Sequence, residues 1–86
     1  MSAAKSLPVT FSSFVVSLGG TAMEHLGLSP HPEAQPQNLA LARQTIDLIA
    51  LLQEKTKGNL DDEEQRLIDS LLYELRIKWT EASGAE

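Results

Sequence analysis

The sequence predicts an all-α protein: an antiparallel helical hairpin plus an N-terminal helix, three helices in all, assembled as a dimeric helical bundle. Apolar residues recur at i, i+3, i+4 and i+7 in three segments, as they do along the buried face of a helix. Each segment is bracketed by a capping residue before it and a glycine after it. Only about three residues, Gly58, Asn59 and Leu60, separate the last two segments, so those helices pack as antiparallel neighbours. The 86 residues form a single helical domain, and a chain this short hides only about 60–65 % of its unfolded surface.

The first helix is placed at about residues 11–26, with Thr10 as N-cap and Gly27 just past its end. Phe11, Phe14, Val15, Leu18, Ala22 and Leu26 form its apolar face. Gly19 and Gly20 stand in mid-helix, at about 1 kcal/mol each relative to alanine. With Ser12, Ser13, Val16, Ser17 and Ala22 they make a small-residue surface that a second helix can approach closely. A kink or an early end at Gly19 is the alternative. The uncharged stretch 6–23 follows Lys5 as a signal peptide would, but its serines, glycines and threonines dilute it, and its longest large-apolar run is Phe14-Val15-Val16. It reads as a soluble helix.

Residues 28–37 contain Pro30, Pro32 and Pro36 and are predicted to be an extended linker. The linker leaves open whether the first helix packs on its own hairpin or on a neighbouring subunit. Asn38 caps a second helix at about 39–57, whose last turn carries Lys55 and Lys57 against the negative end of the dipole. The third helix, about 62–82, opens with Asp61 as N-cap and Glu64 at N3, a capping box with Asp in place of Ser or Thr. Ser83-Gly84 is expected to fray.

In this hairpin Leu52 faces Leu67 or Ile68, Ile49 faces Leu71, Ile46 faces Leu72 or Leu75, and Ala42 and Leu39 face Trp79. A second stripe then remains on the second helix at Leu41, Leu48, Leu51 and partly Leu52, with a weaker one on the third at Leu67, Tyr73 and Ile77. A helix apolar on two sides packs against two things. These residues, with Gly19 and Gly20, are the expected oligomer or partner surface. A homodimer or higher symmetric oligomer would cover them; a monomeric three-helix bundle is the alternative.

Composition excludes more than it assigns. Hydrophobic residues make up 42 % and charged residues 22 %, as in a folded globular chain. With no cysteine there is neither a disulfide nor a thiolate metal site, which suits a reducing cytoplasm. A net charge of −5, with seven basic residues scattered from Lys5 to Lys78, argues against nucleic acid and against anionic membranes. His25 and His31 lack metal-ligand spacing and are read as surface residues. Lys55-Thr56-Lys57-Gly58-Asn59 ends a helix rather than opening one, so it is a C-cap and not a phosphate loop. Glu54–Lys57, Asp62–Arg66 and Glu74–Lys78 have the spacing of solvated helix pairs. Asp47 interrupts an apolar run one turn after Arg43, and the hairpin brings Arg76 near. These three are expected to form a structural ion-pair cluster that holds register. The alternative is an anion or substrate site built by Arg43, Arg76 and Lys78. No cofactor, metal site or catalytic set is expected.

The motifs Asn38-Leu39, Ile46-Asp47-Leu48, Leu51-Leu52-Gln53-Glu54-Lys55-Thr56-Lys57-Gly58-Asn59-Leu60, Glu63-Glu64 and Leu72-Tyr73-Glu74-Leu75-Arg76 resemble the bacterial family called domain of unknown function 1844. Phe14, Ser17-Leu18, Ala22 and Leu26-Gly27 fit it too, so the likeness spans about residues 11–80. The resemblance implies a bacterial, cytoplasmic protein and brings no activity with it. The expected function is that of a non-enzymatic helical oligomer acting through protein–protein contacts as scaffold, adaptor or regulatory subunit.

Overall fold

Each helix begins where a side-chain oxygen takes up amides that the first turn leaves free. In the computed structural model, which describes residues 8–29 and 36–84, the helices are α1 (Phe11–His25), α2 (Leu39–Lys55) and α3 (Asp62–Ser83). Thr10 caps α1, and Ser13 reciprocates: Ser13 N–H donates to Thr10 Oγ1 at 2.9 Å, Thr10 N–H to Ser13 Oγ at 3.0 Å. The same box closes α3, where Glu64 N–H donates to Asp61 Oδ1 and Asp61 N–H to Glu64 Oε1. Asn38 Oδ1 accepts from Leu41 N–H at the start of α2.

α1 runs unbroken through Gly19 and Gly20 and ends at His25, with Leu26 as C-cap. The alternative of a kink or early end at Gly19 does not occur, and Gly19 serves a close contact instead. A Cβ there would stand 2.9 Å and 3.0 Å from the Leu71 methyl carbons. α1 therefore packs on the hairpin of its own chain, touching both α2 and α3. Its end is tied to the start of α2: Asn38 N–H donates to the His25 carbonyl at 2.7 Å and Gln37 Nε2 to the Leu26 carbonyl at 3.0 Å. The middle of the predicted linker, 30–35, lies outside the described residues.

α2 stops two residues short of the predicted end. Thr56 Oγ1 and Thr56 N–H both bond the Leu52 carbonyl, and Asn59 N–H then closes on the Thr56 carbonyl at 2.8 Å. Gly58, at φ +88°, makes the left-handed step that turns the chain into α3. α3 is one residue longer than predicted: Ser83 is helical, its Oγ bonded to the Thr80 carbonyl, and Gly84 caps it.

Val15, Ala22, Leu26, Ala42, Ile46, Ile49, Ile68, Leu72 and Leu75 are buried together and form the core. Thr45 is buried with them, its hydroxyl satisfied by the Leu41 carbonyl. Register is fixed by two polar contacts between α2 and α3. Trp79 Nε1 donates to the Leu39 carbonyl at 2.9 Å at the open end, and Gln53 Nε2 to Asp69 Oδ1 at 2.7 Å nearer the turn. The first bears out the Leu39–Trp79 pairing, whereas Leu71, expected against Ile49, places its methyl groups over Gly19.

The two central glycines should answer oppositely to substitution. Gly20→Ala, with open space around its Cβ, is expected to raise unfolding free energy by about 0.5–1 kcal/mol. Gly19→Val should lower it by about 1–3 kcal/mol by overpacking against Leu71. Urea unfolding followed by circular dichroism measures both.

Candidate functional site

Two kinds of surface carry the residues singled out from sequence: exposed apolar flanks and a small charged recess. At about 100° per residue, the buried residues of α2 point in one direction, and Leu41, Leu48 and Leu51 lie about 90°, 110° and 170° round from it to one side. Arg43 and Gln53, which touch α3, lie on the other side. The leucine flank therefore borders α1. It is open to water: Leu41 is 41 % exposed, Leu48 46 % and Leu51 49 %. On α1, Gly19 meets α3, and Phe14, itself 47 % exposed, lies on the opposite side, toward α2. Counting about 1.5 Å per residue back from His25 and forward from Asn38, Phe14 and Leu48 stand at nearly the same level. One apolar strip of four side chains results.

The same counting separates residues that the sequence grouped together. On α3, Leu71 faces α1, while Tyr73 and Ile77 lie across the helix beyond Asp69, on the α2 side. Both are exposed, Tyr73 the more so. They form a second, smaller flank rather than an extension of the leucine strip. Gly20 is exposed on the outer side of α1, but Gly19 is buried under Leu71. Gly19 thus leaves the set of candidate partner residues, because α3 already uses the small surface it provides.

The expected cluster of Arg43, Asp47 and Arg76 forms only in part. Arg43 Nε lies 3.4 Å from Asp47 Oδ1, with the side chains 57 % and 64 % exposed, and the guanidinium sits 5.0 Å from the centre of the Trp79 ring. Arg76 lines the same recess, of about 170 Å³, together with Ile46, Trp79 and Thr80, yet forms no ion pair among the described residues. Register is not its task, since an exposed pair contributes only a few tenths of a kcal/mol. The recess carries two guanidiniums and one carboxylate. Lys78, placed with them in the anion-site alternative, lies instead beside Gly27 and Gln37 at the α1 junction. The spacings Glu54–Lys57, Asp62–Arg66 and Glu74–Lys78 close into no ion pair among the described residues.

His25 is half-buried at the end of α1, not a surface residue; its Nδ1 is enclosed and has no hydrogen-bond partner among the described residues. His31 lies outside them. No group of His, Asp or Glu able to hold a metal occurs among the described residues. Among the described residues no helix is long and apolar enough to cross a membrane.

Residues 8–81 match the family described as Domain of unknown function (DUF1844), and the chain belongs to that family. Comparison with curated proteins and with solved structures gave no match.

The geometry divides the polar contacts sharply. Trp79→Phe should cost about 1 kcal/mol of stability by removing the bond to Leu39. Asp47→Ala should change it by less than about 0.5 kcal/mol, because the pair is exposed. Denaturant titration of the two variants against the parent chain checks both.

Proposed function

We propose that this member of the family is a non-enzymatic helical oligomer that works through protein–protein contacts, as a scaffold, adaptor or small regulatory subunit. The observation that carries the reading is the strip of Phe14, Leu41, Leu48 and Leu51, large apolar side chains nearly half exposed on a chain with few buried ones. Burying such side chains is worth about 1.5–3 kcal/mol each when complete, a large share of a small domain's stability. The Tyr73–Ile77 flank offers a further contact for a different protein. A bacterial cytoplasm is the proposed setting, supported by the family likeness and by the lack of cysteine.

An anion-binding role at Arg43 and Arg76 is less well supported. Asp47 already occupies Arg43, the recess is open to solvent, and Trp79 covers one side of the guanidinium. A carboxylate or phosphate entering there would compete with a carboxylate already in place.

Sedimentation velocity across the micromolar range should show an assembly of two or more chains dissociating on dilution. A single monomeric species throughout, with no protein partner captured by the immobilised chain, would overturn the reading.

A further inference from the structure

The leucine flank of α2 has a spacing that the exposed residues of a monomer do not need. Leu41, Gln44, Leu48, Leu51 and Lys55 are all exposed and follow one another at intervals of 3, 4, 3 and 4. That is the a/d rhythm of a coiled-coil seam, carried over two heptads. It lies beside the face that α2 already gives to its own core, so α2 serves two interfaces at once.

We propose that the occupant of this seam is a second copy of the chain, with the two α2 helices antiparallel about a two-fold axis at the level of Ile46. The inference rests on the oligomer reading above and specifies its surface. Inverting the seam about that level sets Leu41 against Leu51 of the other copy and Leu48 against Gln44, so the contact is self-complementary, as a two-fold interface must be. Phe14 stands on the α1 side of each seam and closes over it.

Charge permits a copy of this chain at the seam and favours it at the two ends. The protein carries a net charge of −5, so two copies repel unless the contact avoids their carboxylates. From Leu41 to Leu51 the seam has no charged residue. The acid nearest the axis, Asp47, is held by its own Arg43. Lys55 ends the seam at the turn end of α2, while the negative end of α1 lies at the other end, beside Asn38. The two-fold brings each Lys55 to the other copy's α1 terminus, a favourable pairing of cation with helix dipole.

The chain has no native cysteine, so introduced thiols report without interference. Leu41→Cys and Leu51→Cys chains, one of them carrying a mass tag, are mixed and treated with a short bis-maleimide. The expected product is the mixed covalent dimer. Either variant alone should give almost none, because like positions are offset by ten residues, about 15 Å along the helices. Leu48→Arg, at an exposed position, should weaken association by about tenfold or more with helical content unchanged. Like-with-like cross-links as abundant as mixed ones would overturn the register. An oligomer in sedimentation with no cross-link, or one indifferent to Leu48→Arg, would overturn this surface and leave the oligomer reading standing. A monomer at every concentration would overturn both.

Discussion

Three helices arranged two layers deep have too little interior for the apolar side chains that this chain carries, and the rest of the structure follows from that shortage. The molecule measures 39 × 37 × 16 Å. Two packed helices need about 8–10 Å between axes, plus about 2.3 Å of Cα radius on each outer side, so 16 Å holds two layers and no more. Every helix keeps a side that the other described residues leave uncovered. Among the described residues nine buried apolar residues make the core, and as many large apolar residues face water.

Small residues and polar contacts make the limited interior workable. Gly19 lets Leu71 of α3 reach the backbone of α1, so close approach replaces bulk. The bonds from Asn38 and Gln37 to the carbonyls ending α1 lock the first helix onto the hairpin whatever path the linker takes. Trp79 and Gln53 hold α3 in register from two points far apart along α2. Charged groups contribute little to this framework. The one ion pair among the described residues is exposed and stands on the α3 side of α2.

The helices were legible in the sequence because their signals are local. Thr10, Asn38 and Asp61 cap from one turn away, and Gly58 marks the turn between α2 and α3. What could not be read depends on neighbours distant in sequence. Nothing near Gly19 announces that Leu71, fifty-two residues later, fills the space above it. The early end of α2 escaped because Thr56 competes for the Leu52 carbonyl through both its hydroxyl and its amide. Periodicity marks Leu41, Leu48, Leu51, Tyr73 and Ile77 as lying off the core, and they are exposed, whereas Gly19 is buried under Leu71. Periodicity gives the side of a helix, and only the contacts Gln53–Asp69 and Leu71–Gly19 tell which neighbour that side borders. Arg76 was placed near Asp47 by hairpin register, yet proximity along two helices does not ensure that an exposed guanidinium pairs.

The central claim is that the folded unit contains more than one chain. If association buries the leucine seam, stability is linked by mass action to protein concentration. Urea unfolding of the intact chain, repeated over a hundredfold range of concentration spanning the micromolar, tests this directly. The account requires the midpoint to rise steadily with concentration. A midpoint that stays fixed across the whole range would contradict it.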